Sequence, residues 1–307
     1  KFHPTNHNKL YIGHDGGISR SIDAQNVFPT FSTVNKNYIV TQFYGMAAGI
    51  DGRVIGGTQD NSTVFVTMAG SSAFEGEFIT GGDGGFCDIS KINPLGLFAE
   101  SQNGAIVRTG SGTPPLGPFF DTNIDCNADP NTGACNPDGQ MDGNPLFITP
   151  FILWEDILGN LISGAENSKF VTGSGDGKVW MTEGALKFSE IPLWRTIADF
   201  AGARTVSAVA VSNDGKTVYA GTTDGRMMRI TNLDRDIPTT KEFRIADNRN
   251  QYIASIDIDF NPSHIIVGLG NYGSVENIVE STNATSSNPT FSSIQNNLPL
   301  MPVYAVA

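Results

Sequence analysis

The feature that most constrains the fold of this chain is a motif that recurs six times along its 307 residues. Each copy consists of an apolar run, a short turn of Gly, Asp or Asn, and a second run of strand-forming residues. The copies begin at Leu10, Val54, Leu97, Phe170, Val218 and Ile265. Successive copies lie 44, 43, 73, 48 and 47 residues apart. A period of about 40–50 residues is typical of similar β-sheets arrayed around an axis.

The turns and the runs between the copies indicate the shape of each sheet. Gly and Asn in the turns allow the positive φ that a tight hairpin needs. A further apolar run precedes several hairpins and contains small residues such as Ala47, Ala208 and Ala254, which suit a crowded axis. The pattern therefore predicts an all-β propeller of four-stranded blades, with six blades, or seven of which one is incomplete.

Blade boundaries follow from the same motif. We expect one domain over 1–307, with blades near 1–39, 40–80, 81–120, 147–200, 204–247 and 251–298, and an insert loop over 121–146. The segment 151–159 fits a strand or a helical turn. Residues 299–307 end in PVYAVA, which either closes the first blade or begins another blade of a longer natural protein; the second interpretation is slightly favoured.

Net charge excludes some classes of partner. The chain has 31 Asp and Glu against 19 Lys and Arg, a net charge of −12. Nucleic-acid binding requires clustered basic residues that neutralise phosphates, and the sequence has no such cluster. No run approaches the roughly 18 apolar residues of a membrane-spanning helix, so direct membrane insertion is not expected. We expect a protein or glycan partner, with self-association as a further option.

The insert loop explains the step of 73 residues and contains the most specific candidate site. Asp121, Asn123, Asp125 and Asp129 are spaced like oxygen ligands that turn inward around a hard cation, and Asp138 and Asp142 could complete the shell. The loop is similar to the Asp-rich calcium loops of thrombospondin-type repeats. It predicts a structural calcium ion, and the alternative is a flexible polar loop.

The three cysteines indicate an oxidising compartment. Cys126 and Cys135 lie in the insert loop and are predicted to form a local disulfide, whereas Cys87 stands in an apolar run and is predicted to be a buried thiol. A disulfide would place the protein outside the cytosol, as a secreted or cell-surface protein.

Several segments resemble a known family. FHPTNHNKLYIGHDGGI, QFYGMA, VIGGTQDN and GGDGGF resemble the sortilin/Asp-box (BNR-like) propellers of exported Bacteroidota surface proteins. The segment 21–28 looks like an Asp-box that keeps its Ser, Asp and terminal aromatic residue. This resemblance implies a propeller fold and export through the type IX pathway. It implies no single activity, because relatives include glycoside hydrolases, receptors and proteins with no known chemistry.

Turn acids are the candidate catalytic residues. Asp15, Asp60, Asp83, Asp176 and Asp224 fall in or beside the repeated turns, where Asp-Gly is also simply a good turn former. Asp15, Asp60 and Asp83 are the weak candidates for the carboxyl pair of a glycosidase, which needs a separation of about 5 Å or of about 6.5–9.5 Å.

The composition and motifs favour a non-catalytic role. We predict a secreted or cell-surface propeller that binds protein or glycan, or that acts as an extracellular scaffold. The alternatives are a glycoside hydrolase that uses paired turn carboxylates and a structural subunit of a filament or surface layer.

Overall fold

The structure is a computed structural model of the chain. It describes residues 1–14, 17–35, 41–66, 76–113, 116–122, 124, 145–157, 167–202, 204–245, 251–273 and 276–306. These residues form twenty-three β-strands.

The strands form six sheets, one for each copy of the sequence motif. The first sheet contains β1 (Leu10–His14), β2 (Gly17–Ser21) and β3 (Ser32–Thr33). The second contains β4 (Phe43–Ala48), β5 (Val54–Thr58), β6 (Thr63–Val66) and β7 (Glu77–Phe78). The third contains β8 (Gly84–Ile89), β9 (Leu97–Ser101), β10 (Ala105–Thr109) and β11 (Phe120–Asp121).

The remaining three sheets also have four strands each. The fourth contains β12 (Phe151–Glu155), β13 (Ser168–Gly173), β14 (Lys178–Thr182) and β15 (Arg195–Asp199). The fifth contains β16 (Val206–Val211), β17 (Thr217–Thr222), β18 (Arg226–Thr231) and β19 (Thr239–Arg244). The sixth contains β20 (Ile253–Ile258), β21 (Ile265–Leu269), β22 (Ile278–Ser281) and β23 (Ser292–Ser293).

Each sheet is an antiparallel meander whose strands lie side by side in chain order. The first strand of each four-stranded sheet is the inner strand, and the second strand packs beside it. Of the two structures expected for 151–159, the strand is found over Phe151–Glu155. No helix in the described part of the chain is long and apolar enough to cross a membrane.

The core lies between successive sheets. Four clusters of buried apolar side chains fill the seams between the second and third, third and fourth, fourth and fifth, and fifth and sixth sheets. The seam between the second and third sheets, for example, joins Ile55 and Phe65 to Cys87, Ile89 and Leu97. The third, fourth and fifth sheets each contribute buried apolar side chains to two of these clusters, one on either face.

A column of small residues lets successive sheets approach closely. Gly57, Gly173, Gly221 and Gly268 occupy equivalent positions near the end of the second strand in their sheets. A Cβ on Gly221 would lie 2.5 Å from the Ile253 side chain of the next inner strand, and one on Gly268 would lie 2.8 Å from the Val303 carbonyl. Glycine is therefore required sterically at these seams.

Arginine side chains also cross the seams. Arg108 on β10 donates to the carbonyls of Gly184 and Glu190 in the fourth sheet, and Arg229 on β18 donates to the Ala284 carbonyl in the sixth. A guanidinium has several donors and can satisfy a group of loop carbonyls at once. These bonds join neighbouring sheets at their outer halves.

Candidate binding surface at the channel mouth

The hairpin turns between second and third strands lie at one end of the sheets. Because the strands alternate in direction, these turns share that end with the connections that lead into the next inner strand. We call this end the mouth. Asn103 and Gly225 in these turns have positive φ, as the sequence predicted for Gly and Asn, and Asp60 has positive φ as well.

The second and third sheets bring two carboxylates and a phenol together at the mouth. The Asp83 carboxylate accepts a hydrogen bond of 2.7 Å from the backbone N–H of Asp60. Tyr44, at the start of the inner strand β4, lies close to both acids. Burial raises the pKa of Tyr44, and the charges of Asp83 and Asp60 raise it further. We call these three residues the mouth cluster.

Neighbouring polar groups hold the mouth cluster in place. The Asp83 N–H donates to Oε1 of Gln102, which also accepts from the Ser101 hydroxyl. The Gln59 N–H donates to the Gln42 carbonyl and joins the turn to the segment before β4. Tyr44 is 37% exposed as a residue, so it can contact a ligand.

Two other turn acids have a structural role. Asp176 accepts from the Ser174 hydroxyl and pairs with Lys178 at 2.8 Å. Although burial opposes the change, these hydrogen bonds lower the pKa of Asp176. Asp224 is held in the same way by Thr222 and by Arg204 at 3.0 Å. Both carboxylates are ionised and neutralised within their own blades, as expected for turn formers.

Several predicted site residues lie outside the described residues. They are Asp15, Asn123, Asp125, Asp129, Asp138, Asp142, Cys126 and Cys135. Asp121 is described and lies on β11, opposite Val107. The described residues contain no group of three or more His, Cys, Asp or Glu side chains arranged to hold a metal. Calcium binding and the disulfide therefore stay predictions. The described Cys87 is a buried free thiol, and burial raises its pKa to about 12.

The Asp-box-like segment forms a compact turn. Asp23 accepts from the Ser21 hydroxyl at 2.8 Å and from the Thr30 N–H at 2.9 Å. The sixth sheet repeats this geometry, because Asn283 accepts from Ser281 and Thr290. The hydrogen bond from Ser21, followed by that from Thr30, lowers the pKa of Asp23. The acid therefore stabilises the turn between the last two strands of its sheet.

The sequence analysis missed the most deeply buried acid. Glu100 stands in the glycine column, and its side chain is fully buried between the third and fourth sheets. Its two oxygens accept from the N–H groups of Phe86 at 2.9 Å and Thr149 at 2.5 Å. Burial raises the pKa of Glu100 to about 8, against the effect of these hydrogen bonds. When the six motifs are aligned, Glu100 stands where the other five copies have Gly. This difference is the sequence feature that could have identified Glu100.

Comparison with solved structures establishes the fold. The chain is similar to the β-propeller domain of Myceliophteria thermophila Cps50 (Swd1), with a TM-score of 0.55 and 10% sequence identity. The match covers 94% of this chain and 83% of that one. The fold is a β-propeller. The predicted all-β class and propeller architecture are confirmed, and likeness at this identity concerns the fold alone. No protein-family model matches the sequence, and no curated protein matches it.

One cavity of the propeller lies away from the mouth. It has a volume of about 480 Å³ and is lined by the loop after β14, including Glu183, Lys187 and Leu193. Its charges are mixed, and Arg195 at its edge donates to the Arg235 carbonyl in the fifth sheet. The mouth cluster is therefore the better candidate site, because it joins charge to an accessible aromatic ring.

Proposed function

We propose that this propeller is a non-catalytic module that binds a protein or glycan at its mouth, as part of a secreted or cell-surface protein. The observation that supports the proposal is the mouth cluster, in which an accessible phenol lies beside Asp60 and Asp83. Loops at one end of a rigid scaffold are the usual position of a binding surface.

The chemistry of the cluster favours ligands with hydroxyl groups or positive charge. Carboxylates accept hydrogen bonds from sugar hydroxyls and from Lys or Arg, and an aromatic ring can stack on a sugar face or on a cation. The net charge of −12 adds long-range attraction for a basic partner.

A binding assay tests this proposal. The propeller would be passed over immobilised neutral polysaccharides and a lysine-rich peptide in a surface plasmon resonance experiment. Tyr44→Ala removes the aromatic ring and Asp83→Asn removes a charged acceptor, and each is expected to weaken binding about tenfold. Asp234→Asn is the matched control, because Asp234 is exposed in a loop at the opposite end of its sheet. Binding that is unchanged in both mouth variants would refute the proposal.

The Asp83 carboxylate is hydrogen-bonded to the backbone of Asp60, and this keeps a glycoside hydrolase with these two acids as a second candidate. Two carboxyl groups near each other are the minimum requirement for that chemistry. Release of reducing sugar from a polysaccharide would be measured for the unmodified protein, Asp60→Asn and Asp83→Asn. Turnover that is lost in both variants and kept in Asp234→Asn would replace the non-catalytic proposal with the enzymatic one.

The spacing of acids in the 121–146 loop supports a structural calcium ion as part of the same proposal. Removing calcium with a chelator is expected to lower the melting temperature of the protein, since a ligand that binds only the folded state stabilises it. Asp125→Ala is expected to remove this difference. Equal melting temperatures with calcium and with chelator in the unmodified protein would exclude the ion. Intact mass with and without reductant would test the Cys126–Cys135 disulfide.

A further inference from the structure

The turn between the last two strands of the fourth sheet differs from its counterparts. It has twelve residues, 183–194, whereas the other five sheets have ten or fewer at this place. The first sheet closes its turn with the Asp23 side chain, which accepts from the Thr30 N–H. Gly184 stands in the place of Asp23, because the N–H of each donates to the hydroxyl two residues before it and the carbonyl of each accepts from the N–H three residues after it. The fourth sheet therefore lacks a closing side chain at this position.

The cavity of about 480 Å³ lies in this turn. Its volume is within the range of about 300–1,000 Å³ that is usual for ligand sites. Gly184 is part of its lining, and a Cβ built on Gly184 would have its nearest contacts at 3.6 Å, with Pro192 and with the Thr182 hydroxyl. Both of these neighbours also line the cavity, so a longer side chain at position 184 would extend into it.

Hydrogen bonds from neighbouring sheets hold the turn in place. The buried Arg108 guanidinium donates to the carbonyls of Gly184 and Glu190 from the side of the third sheet. At the other end of the turn, Arg195 donates to the Arg235 carbonyl in the fifth sheet. The cavity is therefore preformed, and a ligand can bind without first ordering the loop.

The groups that line the cavity define the chemistry of a ligand. Glu183, Lys187 and Glu190 have no side-chain hydrogen bond or ion pair within the described residues, whereas the guanidinium of Arg195 is engaged by carbonyls of the fifth sheet. Leu193, which is 85% exposed, and the neighbouring Ile191 supply apolar surface at the rim. The free groups are thus two carboxylates, one ammonium and an apolar edge.

We propose that this cavity binds an extended segment of a partner protein in which a Lys or Arg stands beside an apolar residue. The basic head group bonds to Glu183 and Glu190, and its methylene stem lies on Leu193. The apolar neighbour fills the space beside Gly184, and the Lys187 ammonium donates to a carbonyl of the segment.

Charge favours this occupant over an acidic one. An anionic ligand would face both free carboxylates, whereas a basic segment is attracted by them and by the net charge of −12. The cavity lies at the end of the sheets opposite to the mouth, so the inference goes beyond the function proposed above and does not rest on it.

Fluorescence anisotropy of a labelled peptide tests the chemistry of the ligand. The probe is a capped hexapeptide that alternates arginine and leucine. One comparison peptide has glutamate in place of arginine, and another has serine in place of leucine. Each replacement is expected to weaken binding at least about tenfold, because each removes one of the two kinds of contact. No binding of the probe, equal binding of the three peptides, or equally tight binding of arginine amide alone would overturn the proposal.

Substitutions at Gly184 test the position of the peptide. Gly184→Leu is expected to weaken binding at least about tenfold by filling the cavity, whereas Gly184→Ala is expected to change it less than about twofold, since its Cβ makes only ordinary contacts. Melting temperatures would show that both variants fold. Unchanged binding in folded Gly184→Leu would overturn the proposal. Binding that is lost in Tyr44→Ala and kept in Gly184→Leu would place the peptide at the mouth, which would overturn this inference and support the function proposed above.

The two carboxylates give a readout that does not depend on filling the cavity. Glu183→Gln combined with Glu190→Gln is expected to weaken binding about tenfold and to reduce its dependence on salt. Glu77→Gln combined with Asp199→Asn is the matched control, because it removes the same charge at exposed positions outside the cavity. An equal loss of affinity in the two double variants would show that only the overall charge attracts the peptide, and would overturn the proposed site.

Discussion

Single buried polar residues make some seams of this propeller sensitive to pH. Glu100 occupies the position that is glycine in the other sheets. Its carboxyl group accepts a hydrogen bond from the Thr149 N–H, where a backbone carbonyl would otherwise be the acceptor. Elsewhere the first residue of an inner strand donates to a backbone carbonyl, as Val206 does to Ser174. The packing between the third and fourth sheets therefore depends on the protonation state of one side chain, Glu100.

The raised pKa of Glu100 predicts lower stability at higher pH. The folded state holds the proton up to about pH 8, whereas the unfolded chain releases it near 4.5. The contribution of Glu100 is thus fully present below pH 4.5 and is lost as the pH rises through 8. The free energy of unfolding, measured by urea denaturation from pH 5 to 9, is expected to fall by a few kcal/mol, since each tenfold change in an acid dissociation constant corresponds to about 1.4 kcal/mol.

Glu100→Gln separates this effect from other titrations. The variant is expected to be about 1–3 kcal/mol less stable, because its amide NH₂ cannot accept from a backbone N–H. Its stability should also depend less on pH. Glu183→Gln is the control, since Glu183 is exposed. A pH dependence in Glu100→Gln equal to that of the unmodified protein would contradict the assignment.

His264 is a base whose hydrogen-bond partners are two acidic side chains. Its Nδ1 lies 3.0 Å from Asp259 and its Nε2 lies 3.3 Å from Glu280. The hydrogen bond to Asp259, followed by that to Glu280, raises the pKa of His264. The stabilisation is full below the unfolded pKa of about 6.5 and is lost as the pH rises through the folded value.

An NMR titration would test His264 directly. Its imidazole is expected to titrate at higher pH than in the Glu280→Gln variant, where one of the two carboxylates is lost. A His264 midpoint that does not move in Glu280→Gln would show that the bridge to β22 does not form in solution.

At the scale of elements, the glycine column sets the distance between blades. The second strand of a sheet packs directly against the inner strand of the next sheet. A side chain at the glycine position of the second strand would overlap with that inner strand. Gly221→Ala is expected to destabilise the protein by about 1–3 kcal/mol, the usual result of overfilling a packed core. Gly81→Ala is the control, because a Cβ there meets no atom within 4 Å. Equal thermal stability of the two variants would refute the steric requirement.

The turns between the last two strands of the first and sixth sheets show a second requirement at this scale. The first sheet uses Asp23 and the sixth uses Asn283 for the same acceptor role. Either side chain places an oxygen three bonds from its Cα, so the turn needs an acceptor and not a charge. Asp23→Asn is therefore expected to leave the melting temperature nearly unchanged, and Asp23→Ala is expected to lower it. Equal effects of the two substitutions would contradict this explanation.

At the scale of the whole molecule, stability depends on the packing and hydrogen bonds between neighbouring blades. Arg108 is almost fully buried, and its partners are the loop carbonyls of Gly184, Ala185 and Glu190 rather than a carboxylate. Burial lowers its pKa to about 10, so it remains charged at neutral pH. The side chain also stacks on Phe188 at 5.4 Å. It therefore holds the third and fourth blades together.

Arg108→Lys is expected to destabilise the protein by about 2–3 kcal/mol, because an ammonium group cannot reproduce the fork of donors and leaves carbonyls unpaired. Arg235→Lys, at an exposed position, is the control. Thermal unfolding followed by circular dichroism would compare them. A cost for Arg108→Lys no larger than that for Arg235→Lys would show that the seam does not depend on this side chain.

Much of the architecture could be read from local pattern alone. The period of the motif, the alternation of apolar residues and the turn residues are properties of short segments, so they predicted strands, hairpins and the propeller class. The tight turn at Asp60 and the structural use of Asp176 and Asp224 follow from the same local preferences. The excess of acidic residues is likewise a property of composition, and it argues against nucleic acid without any coordinates.

Contacts between blades required the tertiary structure, because they join residues whose separation in sequence carries no signal. Glu100 looks like an ordinary strand residue until Thr149 is placed against it, and Asp60 and Asp83 become a pair only when two blades meet. His264 seemed one of a few scattered histidines, yet folding places it between two acids. Local sequence determined which segments become strands and turns, whereas the packing of sheet on sheet decided which polar groups are buried, paired or left at the mouth. The physical reason is that burial and charge pairing act over a few ångströms in space, at any distance along the chain.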